Sequence, residues 1–261
     1  MNKPVCLFDS GIGGLTVLKK LIEKFPSENY IYLADLANVP FGDKTKDQIR
    51  QIVSNITTWL ITFNPKIIIM ACNTSSTLVL DEYRKKLNIP VFGMIESIAK
   101  EIAKSKVSCV SAWATKLVTE NNGYKKAIQK LNLDIKVEEI ACPKLVPLVE
   151  NLSSTKNEKE KILLEYLDKT NPESDLLILG CTHYPLIQNE LKSLTKLKII
   201  DPADSLLKDL ENYLTKDKAA QGKINLYATS ELEKLKLFSN IYLGQDFETR
   251  LIKLNQKALS V

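Results

Sequence analysis

Apolar residues along this chain fall into two alternating patterns. Short runs rich in Val and Ile are followed by longer stretches in which apolar residues recur at three- and four-residue steps. The first pattern predicts strands buried on both faces and the second predicts amphipathic helices. Candidate strands are VCLFD (5–9), YIYLA (30–34), KIIIMA (66–71), PVFGM (90–94), VSCVSA (107–112), IKVEEIA (135–141), DLLILG (175–180), KLKII (196–200) and KINLYA (223–228). Between the second and third strands, Ile49, Ile52, Val53, Ile56, Leu60 and Phe63 form one apolar stripe, as a helix with a single buried face requires. Pro26, Pro65 and Pro90 lie beside strand starts or just past helix ends, where a missing N–H costs least. Strands alternating with crossover helices give an α/β fold with mostly parallel sheets.

The first four strands and the next four match at an offset of about 100 to 110 residues, so the chain reads as a duplication. The best-matched pair is IIIMACNT, ending at Thr74, and LLILGCTH, which reaches Thr182: an apolar strand, a cysteine, a threonine within two residues, then a helix. Cys72 and Cys181 thereby occupy equivalent places at the carboxyl ends of strands, the end where open α/β sheets bind ligands. Two pseudo-symmetric lobes are expected, residues 1–97 with 208–261 and residues 98–207, with the active site in the cleft between them and one cysteine on each wall.

Composition narrows the function classes. The 261 residues are 44% hydrophobic and 26% charged, with a net charge of +5 from scattered lysines rather than a dense basic block. Such lysines read as solvated helix faces, which disfavours a nucleic-acid partner. No apolar run approaches the roughly 20 residues of a membrane span, and VCLF is too short for a signal peptide before it meets Asp9, so a soluble, cytoplasmic chain is expected. Five cysteines without a C-x-x-C spacing argue for reduced thiols and against a zinc knuckle.

Each strand-to-helix cysteine sits near a helix N-terminus, which is expected to favour its thiolate. Cys6 and Cys109 lie within strands and are expected to be core thiols; Cys142, before Pro143, is open, with a structural role preferred. His183 is the only histidine and stands two residues after Cys181, at the first turn of the expected helix, where it can tune the thiol or shuttle a proton. Asp9 closes the first strand and is followed by Ser10, Gly11, Gly13 and Gly14, a turn whose helix-terminal amides are expected to be free for an anion. The turn lacks the residues of a P-loop and is a poor dinucleotide fingerprint.

Inverting a stereocentre without a cofactor needs a base on one face and an acid on the other, and two pseudo-equivalent thiols meet that need. The developing charge at Cα must also be stabilised, for which Asn73, Thr74 and Thr182 offer donors. Three other readings fit the residues: a thiol hydrolase or transferase using one cysteine with His183, a binder of an acidic amino acid, and a metal site built from Cys72, Cys181, His183 and Asp9.

The segments FDSGIGGLTVL, VPFG, ACNTSS, ACPKLVPLVE and LGCTHYPL, in this order, resemble the bacterial glutamate racemases over nearly the whole chain. Aspartate racemases share the two-cysteine plan with different surrounding residues and are the alternative. The resemblance implies interconversion of L- and D-glutamate without pyridoxal phosphate, metal or any other cofactor, supplying D-glutamate for peptidoglycan, by a chain that works as a homodimer. It implies that Cys72 takes the proton from D-glutamate and Cys181 from L-glutamate, assisted by Asp9, His183 and Glu150. It implies substrate contacts at Asp9, Ser10, Phe41, Gly42, Asn73, Thr74, Thr115 and Thr182. Phe41 stands where the family usually has tyrosine, and Val118 and Asn121 stand where it usually has Thr and Ser.

Overall fold

The computed structural model describes residues 3–217 and 220–254. Among them are ten strands: β1 (Val5–Asp9), β2 (Tyr30–Ala34), β3 (Ile67–Met70), β4 (Val91–Gly93), β5 (Cys109–Ala114), β6 (Lys136–Ala141), β7 (Leu176–Gly180), β8 (Lys198–Ile200), β9 (Ile224–Ala228) and β10 (Glu248–Leu251). They build a six-stranded sheet in the order β10-β9-β2-β1-β3-β4 and a four-stranded sheet in the order β6-β5-β7-β8, with every pairing parallel.

The duplication is visible in this topology. Order β2-β1-β3-β4 in one sheet is repeated as β6-β5-β7-β8 in the other, and the starts of corresponding strands are 104, 106, 109 and 107 residues apart. Register carries the equivalence to single residues. Phe8 pairs with Met70, and Trp113 pairs with Leu179. Carried two residues past these pairs, just beyond the strand ends, the same register sets Ser10 level with Cys72 and Thr115 level with Cys181.

Each sheet is covered on both faces, which is why β3 and β7 are apolar without alternation. Successive residues of β1 enter opposite cores: Val5 and Leu7 pack with helix Leu15–Lys24, and Cys6 and Phe8 pack with helix Lys46–Ile61. The latter helix starts at a capping box, in which Thr45 Oγ1 accepts from the Gln48 amide and Gln48 Oε1 accepts from the Thr45 amide. Its buried face is Ile49, Val53, Ile56, Thr57 and Leu60, with Ile52 and Phe63 partly buried beside it. Cys109 and Cys142 are buried, and Cys142 Sγ donates to Ile140 O at 3.4 Å. Helix Pro202–Asp209 contributes Ala203, Leu206 and Leu207 to the core of the first sheet, although its sequence falls in the second-lobe range. Ile69, fully buried in β3, is expected to cost about 2–5 kcal/mol when replaced by alanine, read as a lower denaturation midpoint.

The structure adds one strand to the nine expected. β10, of sequence ETRL, is mostly exposed and lies at the sheet edge, so it carries no apolar signal.

Candidate active site

In both halves of the duplication the third strand leads into a cysteine. Cys72 follows β3 and is the N-cap residue of helix Asn73–Lys86, and Cys181 follows β7 directly. The segment after Cys181 departs from expectation: it forms a turn and a short 3-10 helix, Tyr184–Ile187, with His183 at its N-cap, before the α-helix Gln188–Leu194. Pro185, in the first turn, suits this tight start. Cys72 is 6% exposed and Cys181 8%, so both sulfurs lie well inside the molecule.

Around Cys181 runs a chain of polar contacts. Its Sγ is 3.8 Å from His183 Nδ1, His183 Nε2 is 2.8 Å from Glu150 Oε1, and Glu150 Oε2 accepts from Lys234 Nζ at 2.9 Å. Burial alone pulls the imidazole down, but hydrogen bonds to Cys181 and Glu150 outweigh it and push His183 up to about 10. Burial likewise raises Glu150, and the contacts with His183 and Lys234 outweigh it to leave the carboxyl at about 2. His183 is therefore an imidazolium at neutral pH, and an imidazolium beside a sulfur supports negative charge there or delivers a proton to it.

His183 is the only histidine, so its ring resonances can be followed without ambiguity. We expect them to titrate near pH 10 in the folded chain; a midpoint near the ordinary 6.5 would remove the ion pair with Glu150. The raised His183 stabilises the fold in full below its ordinary 6.5 and loses that contribution as pH rises through about 10. The depressed Glu150 contributes in full above its ordinary 4.5 and loses it as pH falls toward about 2. The pair is thus at full strength between 4.5 and 6.5.

The surroundings of Cys72 are of the opposite character. Burial pushes its thiol up to about 12, the nearby Asp9 and Cys181 add to the rise, and hydrogen bonds from the Ser75 amide and the Ser10 side chain oppose it. The helix N-terminus expected to favour a thiolate does not prevail at Cys72, because desolvation inside a closed site outweighs a half-charge at a helix end. Cys72 is thereby held as a neutral thiol, which is a proton donor.

Asp9 is fully buried at the end of β1. Its Oδ2 accepts from the amides of Gly11 and Gly14 at 3.2 and 3.0 Å, and Thr182 Oγ1 donates to the carboxylate from the other lobe at 3.4 Å. Burial raises Asp9, opposed by His183 and these amides. Two of the amides expected to be free for an external anion, those of Gly11 and Gly14, are therefore taken by the chain's own carboxylate. Gly13 serves a different need, since a Cβ there would lie 2.4 Å from both His183 Nδ1 and Thr182 Oγ1.

The two lobes meet at several of the expected contact residues. Thr74 Oγ1 and Thr115 Oγ1 are 3.0 Å apart, and Gly42 lies against Thr115. Asn73 Oδ1 accepts from Tyr124 OH at 2.6 Å, while its Nδ2 is buried without a hydrogen-bond partner. An unpartnered buried donor is costly and marks a place where an acceptor is expected to bind. Phe41 is buried in the same core as Cys72, where a phenyl ring serves as packing. Val118 points into the second lobe's core, and Asn121 Nδ2 donates to Leu117 O at 2.8 Å, so neither departure from the family pattern removes a donor from these lobe contacts.

Sequence reading misses Tyr32, Tyr124 and Lys234. Tyr32, whose OH donates to Gly11 O, sits in an all-apolar strand and reads as core. Tyr124 and Lys234 reach the site through contacts 51 and 84 residues away in sequence, which no local pattern signals. Among the described residues, no group of three or more His, Cys, Asp or Glu side chains is placed to hold a metal ion, and no helix is long and apolar enough to cross a membrane.

Comparison with known proteins agrees with this architecture. Residues 14–210 match the Asp/Glu/Hydantoin racemase family. The glutamate racemase of Fusobacterium nucleatum subsp. nucleatum is 36% identical over 249 residues, covering 93% of this chain and 94% of that protein. Two crystal structures superpose with TM-scores of 0.87. One is a glutamate racemase isoform from Bacillus anthracis (28% identity, 97% of this chain and 98% of that one). The other is the Francisella tularensis glutamate racemase in complex with D-glutamate (30% identity, 98% and 99%). The chain belongs to the Asp/Glu/hydantoin racemase family and, within it, to the glutamate racemases, which are isomerases.

Proposed function

We propose that this enzyme interconverts L- and D-glutamate by a two-base mechanism in which Cys181 and Cys72 act on opposite faces of Cα. The observation that carries this reading is the placement of the two cysteines at equivalent strand ends of a duplicated architecture, each on its own lobe. With L-glutamate bound, the Cys181 thiolate, supported by the His183 imidazolium, removes the Cα proton. The Cys72 thiol then gives its proton to the other face, so D-glutamate leaves with Cys181 protonated and Cys72 ionised. D-glutamate runs the same steps in reverse. Burial that disfavours the Cys72 thiolate is offset by the substrate's α-ammonium group, which brings a positive charge into the cleft.

The carbanionic intermediate needs donors aimed at the α-carboxylate. Asn73 Nδ2 supplies one, and Ser10, Thr74 and Thr115 supply hydroxyls, while Thr182, whose own proton goes to Asp9, lines the cleft with Phe41 and Gly42. Asp9 orders Thr182 and the glycine turn. The deep burial of both sulfurs means that the lobes separate to admit substrate. The first lobe takes residues 1–97 and the C-terminal segment, and the second starts at 98 and ends before helix Pro202–Asp209. The working enzyme is a cytoplasmic homodimer that requires no cofactor and supplies D-glutamate for peptidoglycan.

The test is to incubate purified protein with L-glutamate or L-aspartate and follow circular dichroism and chiral chromatography. Optical activity is expected to decay to zero with glutamate alone. Decay with aspartate alone would keep the chemistry and replace the substrate. Binding without decay for either amino acid would make the protein a binder.

A further inference from the structure

The chain of contacts that starts at Cys181 does not end at Glu150. Glu150 Oε2 is held by Lys234 Nζ at 2.9 Å, and Lys234 belongs to the other lobe, because helix Leu232–Leu243 packs Leu235 and Phe238 into the core of the first sheet. Glu150 ends helix Leu145–Glu150, whose Leu145, Leu148 and Val149 pack in the core of the second sheet beside Cys181. His183 and Cys181 are under a tenth exposed, whereas the side chains of Glu150 and Lys234 are 22% and 28% exposed. The link therefore joins the buried sulfur to the surface and crosses from one lobe to the other on its way out.

We infer that Lys234 is a positioning residue for the Cys181 half of the reaction, reaching across the lobes to hold Glu150 and, through it, to set how His183 stands against Cys181 when the cleft is closed. This rests on the two-thiol reading above. Lys234 contacts the carboxylates of Glu150 and Glu231, and neither thiol. Its effect is on Glu150: with one carboxylate oxygen on Lys234 and the other on His183, the negative charge is shared between two cations. Removing Lys234 leaves the whole charge to His183, which then holds its proton more tightly and becomes a weaker acid toward Cys181. The other titratable groups acting on this pair are Asp9 and Tyr32 from the first lobe, Cys181 beside His183, and Glu231 and Tyr242 on the Lys234 helix. None of these replaces the positive charge of Lys234.

The experiment compares the full chain with Lys234→Met, which keeps most of the side chain's length without its charge, and Lys234→Arg, which keeps the charge. The first readout is the titration of the single imidazole by NMR, which needs no substrate. The second is kcat and KM for both enantiomers. In Lys234→Met the imidazole midpoint is expected to rise by about half to one pH unit, equivalent to a roughly three- to tenfold tighter hold on the proton. Its kcat/KM is expected to fall by about tenfold, equally for L- and D-glutamate, since enantiomers have equal free energy and the ratio of the two directions is fixed. Lys234→Arg is expected to stay within about twofold of the unaltered chain in both readouts. An unmoved midpoint in Lys234→Met overturns the inference, and so does a loss of turnover with an unmoved midpoint, or an Arg variant that behaves like the Met variant. Failure of the glutamate reading shows elsewhere, as absence of turnover in the unaltered chain, and the imidazole titration still tests Lys234 independently of it.

Discussion

Replacing either Cys72 or Cys181 by serine is expected to lower kcat by at least about a thousandfold for both enantiomers, near the upper range for removing one general acid or base. A serine hydroxyl preserves the size of the group and some of its hydrogen bonding but ionises far less readily than a thiol, so each variant keeps one competent face of the site and loses the other. Both variants are expected to fold normally, because serine is nearly the size of cysteine and each site lies at a strand end at the margin of its core, 6% and 8% exposed. Steady-state kinetics in both directions, with circular dichroism to check the fold, measures this. The symmetry of the loss is the informative part. A hydrolase-like site using Cys181 with His183 would lose activity only with Cys181→Ser and would tolerate Cys72→Ser. Near-normal turnover in either variant contradicts the two-thiol assignment.

Gly13→Ala is expected to have the second-largest effect, a fall in kcat/KM of about a hundredfold or more, from a residue that carries no chemistry. Its added Cβ would sit 2.4 Å from His183 Nδ1 and from Thr182 Oγ1, where no real contact is tolerated. Two adjustments are open to the protein. Either His183 moves off Cys181 and Glu150, or the Gly11–Gly14 turn lifts away from the second lobe and takes the Asp9 carboxylate with it. Both spoil the geometry on which proton transfer depends. Thr16, whose hydroxyl donates to Thr182 O at 3.0 Å, resists the second adjustment, so displacement of His183 is the expected outcome. Kinetics of the variant, with NMR of the single imidazole to detect the displacement, checks it. Full activity in Gly13→Ala would mean that the lobes do not close to this distance during turnover.

Much of the architecture is legible in the sequence because parallel strands buried on both faces leave an unmistakable apolar run. β1, β3 and β7 are read directly for that reason, and the repeat of strand, cysteine and threonine fixes which strand ends correspond. β10 escapes because an exposed edge strand needs no apolar residues. At the site, local words carry the two cysteines, Asp9 and His183, but not what happens between lobes. The helix-terminus argument for a Cys72 thiolate fails because burial, a property of the assembled cleft, raises the thiol up to about 12. Two of the amides expected to be free, those of Gly11 and Gly14, are taken by Asp9, two and five residues away, in a loop-back that spacing alone does not reveal. Lys234 is invisible in a helix that reads ELEKLKL, where a lysine on a charged face has no local mark of a role.

The two-base claim is tested most directly by following L-glutamate in D2O with the purified protein and measuring deuterium at Cα separately in the D product and in the remaining L substrate at early times. Two thiols on opposite faces predict that the D-glutamate formed carries Cα deuterium, since its proton comes from solvent-equilibrated Cys72, while the unreacted L-glutamate keeps its protium. A single base serving both faces would return the substrate's own hydrogen to the product. Protium in newly formed D-glutamate, or deuterium entering the remaining L-glutamate as fast as it enters the product, would contradict the account.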